Sequence, residues 1–175
     1  MFEFDISKVK YINATTKNDA HYWLKNDDFL MTRINTSKLV GHVAICDGME
    51  ELKICCDLIM KMRIDEDKVR RRLVYWHFRT PQIRELITSS ARGTNPTMRK
   101  INKSIIQDLP VFLLSIPEQE IVLKKLNDVY RETQRLESIY QRKLEALQEL
   151  KQSILHKAFT GEVTVNTTTT EEIAA

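Results

Sequence analysis

With 175 residues, 42% of them hydrophobic and 29% charged, the chain has room for one ordinary folded domain and an appendage. It contains no apolar run of about 18 residues, which excludes a membrane-spanning helix. A net charge of +3 is too small to demand a polyanionic partner by itself, and three cysteines, two of them adjacent, argue against a disulfide framework.

The opening residues MFEFDISKVK show no basic stretch leading into an apolar one, so no secretory leader is expected. The odd cysteine count makes a reducing cytoplasm the expected compartment. Residues 13–20 read as a polar loop. A strand is expected over Phe29–Ile34, entered through the acidic turn Asn26-Asp27-Asp28. A second is expected over Leu39–Cys46 and a third over Cys56–Ile64, where Leu58, Met60, Met62 and Ile64 alternate with Lys61 and Arg63. Asp65–Asp67 offer a helix N-cap, and Val69, Leu73, Trp76, His77 and Thr80 follow at helical spacing. Pro81 interrupts, and residues 82–89 suit a second helix. Residues 90–97 (SARGTNPT) form a loop, 102–108 a short helix, and 111–114 a short apolar strand.

The most informative segment is the last third. Leu126, Val129, Thr133, Leu136, Tyr140, Lys143/Leu144, Leu147, Leu150 and Ile154 recur at alternating spacings of three and four. That is the pattern of a helix packed lengthwise against another helix. Ser115 caps its start, Pro117 sits in its first turn, Glu118 and Glu120 complement its dipole, and Gly161 stops it. Unbroken, it would reach about 66 Å. Residues 162–175 are low in complexity and expected to be disordered. The fold class is therefore α+β: a small mixed domain over residues 1–116, a long coiled-coil helical arm over 117–161, and a tail.

Charge is unevenly placed. Residues 1–116 carry 19 Lys and Arg against 14 Asp and Glu; residues 117–160 carry 8 against 7. Two loops concentrate the excess. Residues 32–38 hold Thr32, Arg33, Asn35 and Lys38 with no acid. Residues 91–103 hold Arg92, Thr94, Asn95, Arg99, Lys100 and Lys103, again with no acid. Arg and Lys pair with phosphates, Arg forks onto guanine, Asn onto adenine, and hydroxyls serve either. Each loop alone also suits a plain solvated turn; two in one small domain raise a polyanion-binding face to an even alternative. Arg70-Arg71-Arg72 follow three acids and read as a helix start with mixed surface charge. The histidines (21, 42, 77, 156) lack metal-ligand spacing, and Cys55-Cys56 cannot supply a CxxC pair, so no metal is expected. Asn95-Pro96-Thr97 lacks the second proline and the aromatic of the amino-methyltransferase motif. No catalytic residue is expected.

Three stretches resemble the specificity subunit of Type I restriction–modification systems. Ser115-Ile116-Pro117-Glu118-Gln119 with Ile121-Val122 and Leu126 is similar to the opening of that family's conserved helical region. Glu132–Glu137 and Leu150–Glu162 resemble its spacer helix and closing Ala-Phe-small-Gly-Glu signature. Asn26–Arg33 with Leu39-Val40-Gly41 resembles a Gly-Asp-x-Leu-x-Thr-Arg … Val-Gly hairpin of its target-recognition domain, with Asp27 where glycine is usual. The resemblance implies a non-catalytic reader of double-stranded DNA, with contacts from Thr32, Arg33 and the residue 92–103 loop. It also implies a helix that spaces recognition domains and docks methyltransferase subunits, which carry S-adenosylmethionine, while restriction subunits join the complex. The chain itself is expected to hold no cofactor. A complete family member has two recognition domains and two spacer helices, and this chain has one of each with a short front. The resemblance thus implies a half-size subunit pairing with itself or another half through Leu126, Val129, Leu136, Tyr140, Leu144, Leu147 and Ile154. The alternatives are a coiled-coil adaptor without a DNA role, and a truncated remnant or inhibitor that docks the methyltransferase without reading sequence.

Overall fold

The computed structural model describes residues 17, 21–48, 53–111 and 114–161. The expected tail and, apart from Lys17, the polar loop over 13–20 lie outside them. Among the described residues, two small antiparallel sheets, three short helices and one long C-terminal helix form an α+β chain with a helical arm. Among the described residues no helix is long and apolar enough to cross a membrane.

The first sheet has the order β3-β1-β4, with β1 over Phe29–Thr32, β3 over Val43–Ile45 and β4 over Ile59–Met62. β1 is central, and Phe29, Leu30 and Met31 are all buried, so both of its faces are covered. The expected strand over residues 29–34 breaks at Arg33: Ile34–Asn35 form β2, which leaves this sheet for another. The expected strand over 39–46 is shortened to β3, because residues 36–41 close a tight turn. There the Leu39 and Val40 amides donate to the Thr36 carbonyl at 3.0 and 2.9 Å. β4 is likewise shorter than expected, and its alternation holds only in part: Met60, Met62 and Ile64 pack against the core, but Leu58, expected on the same face, lies before the strand and is exposed.

Helix α1 covers Arg71–His77 and α2 covers Pro81–Ser90. The expected N-cap at Asp65–Asp67 is not one. Asp65 instead closes a separate turn, its carbonyl accepting from the Lys68 and Val69 amides, and the helix begins after Arg70. Val74 and Phe78, one turn apart, are the buried pair; Val69 packs at the core edge, and Leu73, Trp76, His77 and Thr80 are only half-buried. Phe78 meets Phe29 edge to face, with ring centroids 6.4 Å apart. α2 starts with proline at its first position, where the missing N–H costs nothing, and buries Ile83 and Ile87. Side chains such as Phe29 and Ile87 each contribute about 1.5–3 kcal/mol on burial.

Strand β5 (Arg99–Lys100) and α3 (Lys103–Gln107) follow. Asn102 caps α3, its side-chain oxygen accepting from the Ile105 amide at 3.0 Å. Of the expected strand over 111–114, residues 112–113 lie outside the described residues, and Val111 and Leu114 are not in a strand.

Helix α4 spans Ile116–Thr160. Ser115 forms the expected cap: its amide and hydroxyl both donate to the Glu118 carboxylate, at 2.8 and 2.5 Å, which holds that carboxyl below its usual range. Gly161 ends the helix in the left-handed region at φ 80°. The chain divides into two compact units, Met1–Leu123 and Lys124–Ala175. The division falls inside α4 because Gln119 and Leu123 are buried in the first unit. Gln119 is fully buried and fully used: its amide donates to the Lys68 and Leu114 carbonyls at 2.9 and 2.8 Å, and its oxygen accepts from the Arg70 amide at 2.8 Å. Arg70 also pairs with Glu120 at 2.6 Å, and Arg71 with Glu66 and Asp27, so this arginine run is structural at two of its three positions.

Candidate nucleic-acid interface

The two acid-free loops are brought together by backbone pairing. β2 runs antiparallel to β5, placing Ile34 opposite Lys100 and Asn35 opposite Arg99. The Ser37 amide donates to the Pro96 carbonyl at 3.0 Å, and the Ile101 amide to the Arg33 carbonyl at 3.0 Å. A reciprocal backbone pair joins Arg92 and Lys100 at 2.8 and 2.7 Å. Residues about sixty positions apart thus share one ribbon.

Four of the ten candidate residues shape this ribbon. The Thr32 hydroxyl donates to the Leu39 carbonyl and accepts from the His42 amide, closing the 33–41 loop at its base. The Asn35 oxygen accepts from the Thr36 amide at 2.8 Å. The Asn95 oxygen accepts from the Thr97 amide and hydroxyl at 2.9 and 2.8 Å, an Asx turn. The Arg99 guanidinium donates to the Gly93 carbonyl at 2.6 Å and to the Ala91 carbonyl, bracing the hairpin from within. The other six, Arg33, Lys38, Arg92, Thr94, Lys100 and Lys103, are exposed, and among the described residues their side chains form no ion pair. Among the described residues the surface therefore presents five cations without an ion-pair partner on a hydrogen-bonded scaffold.

Beneath the first loop lies Arg84, whose role the sequence does not announce. Its Nη2 donates to the Val40 carbonyl at 2.8 Å, while its Nη1 is buried without a partner among the described residues. Burial, and then the Arg84 charge, lower the pKa of neighbouring His42. Ser37 lies in the first acid-free loop and Gly41 in the Val-Gly match, but the contacts they make come from the tertiary fold. Both act through neighbours distant in sequence, Pro96 and Ile87, which single-sequence reading does not reveal.

The hairpin residues that carried the family resemblance have physical explanations. Asp27 adopts φ 69°, the left-handed region where glycine is favoured. Asp28 accepts from the Lys25 amide at 2.7 Å and pairs with Lys61 at 2.6 Å. Leu30 and Val40 are buried, and Gly41 sits at φ 72°. Arg33 is the exposed member. Replacing Asp27 by Gly should raise unfolding stability by about 0.5–1 kcal/mol, the relieved strain exceeding the added chain entropy. Its contact with Arg71, on a carboxylate side chain 78% exposed, adds little against this. A fall in the urea midpoint would instead show that the Arg71 pair dominates.

In the second unit, Val129, Leu136, Tyr140, Leu144, Leu147 and Ile154 are exposed in the single chain, while Leu126 is half-buried. Lys143 lies over the Tyr140 ring, 5.5 Å from its centroid, so the cation at a seam position is accommodated locally.

No family model matches the chain. It is 27% identical over 160 residues to the Type I restriction enzyme StySPI specificity subunit of Salmonella potsdam, covering 91% of this chain and 34% of that protein. It is 26% identical over 162 residues to the putative Type I restriction enzyme MjaX specificity subunit of Methanocaldococcus jannaschii, covering 90% and 36%. To the EcoKI specificity subunit of Escherichia coli K12 it is 23% identical over 164 residues, covering 91% and 34%. The chain spans about a third of the length of the curated relatives it matches. Along about nine-tenths of its own length, then, this is a chain similar to the specificity subunits of Type I restriction enzymes.

Proposed function

We propose that the chain is a DNA-reading and scaffolding portion of a Type I specificity subunit, without chemistry of its own. The observation that carries the reading is the β2–β5 ribbon, which joins two acid-free loops and presents Arg33, Lys38, Arg92, Lys100 and Lys103 together. Such a surface neutralises phosphates and positions base-reading groups; Thr94 at the hairpin tip is of the kind that contacts base edges, while Asn95, its oxygen spent on the Asx turn, keeps only its NH2 as a donor. The exposed stripe of α4 pairs with another spacer helix and docks methyltransferase subunits, which keep S-adenosylmethionine, with restriction subunits added to that assembly. The similarity to three specificity subunits supports this reading.

The test is duplex binding by the chain co-expressed with its methyltransferase, measured across a salt series. Arg92→Ala and Lys100→Ala should each weaken binding and reduce the slope of log K against log salt by about 0.9 per lost phosphate contact. Arg99→Ala is less informative, because that side chain braces the hairpin. Duplex affinity independent of salt and unchanged in these variants would remove the ribbon from the interface. A complex that nonetheless persists would then support the adaptor reading, with α4 alone carrying the function.

A further inference from the structure

A cavity of about 940 Å3 lies between β4, α3 and residues 21–22 and 55–57. This volume is near the top of the roughly 300–1,000 Å3 range of small-molecule sites. Its lining mixes cationic, apolar and aromatic groups. Arg33, Arg63 and Lys103 line it and form no ion pair among the described residues; Lys61 also lines it but is committed to Asp28 at 2.6 Å. Asp57 is the one acid in the lining. Met60 and Ile106 supply apolar wall, and Tyr22 supplies an aromatic ring, fixed edge-on to His21 with centroids 5.4 Å apart. Asn102 spends its oxygen on the α3 cap, which leaves its NH2 as a donor at the rim.

We propose that this cavity binds a nucleoside monophosphate unit, with the phosphate among Arg33, Arg63 and Lys103 and the base against Met60, Ile106 and Tyr22. An inorganic anion has no use for the apolar wall, and an uncharged apolar ligand has none for three unpaired cations. A flat ring carrying a phosphate uses both, since bases stack on aromatic and apolar side chains and phosphates pair with Arg and Lys. The unit is either a free nucleotide or an unstacked nucleotide of a nucleic acid. The free-nucleotide source is independent of the duplex-binding reading, although Arg33 and Lys103 serve both surfaces.

The chain carries its own reporter. Cys55 and Cys56 line the cavity, with Cys56 exposed, whereas Cys46 is buried and its thiol is pushed up to about 11, first by burial and then by the Asp28 charge. Alkylation of the full-length chain at neutral pH, followed by mass spectrometry of each cysteine, therefore reads Cys56. Adenosine monophosphate at saturation should slow Cys56 modification about tenfold or more, while adenosine and inorganic phosphate at the same concentration should not. Arg63→Glu, at an exposed position on the strand side of the cavity, should weaken protection about tenfold through loss of a charged hydrogen bond. Protection by a single-stranded oligonucleotide as well as by the mononucleotide assigns the unit to nucleic acid; protection by the mononucleotide alone assigns it to a free ligand. No protection by adenosine monophosphate, or equal protection by inorganic phosphate, overturns the proposal. Salt-dependent duplex binding that survives either result keeps the proposed DNA reading intact.

Discussion

Gly41→Ala is expected to destabilise the first unit by about 2–5 kcal/mol, a large share of the roughly 5–15 kcal/mol that holds a domain folded. Two independent costs combine. Gly41 sits at φ 72°, where a side chain costs about 1–2 kcal/mol. A Cβ there would also lie 2.3 Å from Ile87 Cγ2, in a core position whose side chain is completely buried, and overpacking costs about 1–3 kcal/mol more. The Gly41 amide donates to the Thr32 carbonyl at 2.8 Å, so the turn cannot swing outward without breaking the base of the loop that carries Lys38. Urea unfolding measures the loss, and DNA binding should fall with it. A loss under about 1 kcal/mol would show that α2 shifts to make room, and that the packing of this turn is looser than the distances imply. Combining Gly41→Ala with Ile87→Leu, which removes the branched Cγ2 methyl, should recover part of the clash cost but none of the backbone cost.

Leu136→Asp and Leu147→Asp are expected to abolish assembly while leaving the first unit folded. Both side chains are exposed in the single chain, at 46% and 61%, so the isolated fold loses little when they change. In a helix pair each leucine contributes about 1.5–3 kcal/mol of burial, and a symmetric pair loses that contribution twice. A carboxylate brought into the seam adds a desolvation cost. The association constant should therefore fall by at least about two orders of magnitude for either substitution. Native mass of the chain co-expressed with the proposed methyltransferase partner reads the outcome. A complex with two copies of each protein that dissociates in both variants fits the seam assignment. A complex that survives both moves the interface to another face of α4. One copy of each in the unmodified complex would mean that this chain pairs with no second copy.

The two largest expected effects arise from opposite kinds of residue. Gly41 is invisible to a hydropathy pattern and acts by lacking a side chain where the backbone and α2 meet. Leu136 and Leu147 dominate the pattern yet make no buried core in the single chain. The same contrast runs through the candidate interface. Arg92 and Arg99 look equivalent in the sequence, but the structure turns Arg99 inward onto the Gly93 and Ala91 carbonyls and leaves Arg92 exposed.

The sequence alone determined the elements whose causes are local. The Ser115 cap, the Glu118 carboxylate three residues on and Gly161 delimit α4 within one helical turn of each end. Asn102 starts α3 for an equally local reason, Pro81 opens α2 where an interruption was expected, and of the alternating Leu58, Met60, Met62 and Ile64 all but Leu58 pack against the core. Only the tertiary structure decided the rest. The break at Arg33, the β2–β5 ribbon, the buried pair Val74–Phe78 and the cavity behind Cys56 all depend on partners tens of residues away. The physical reason lies in range. Caps, turns and helical periodicity arise from dihedral preferences and hydrogen bonds within a few residues. Which two loops share a face is settled by the closure of a common core, to which no single segment carries the whole information.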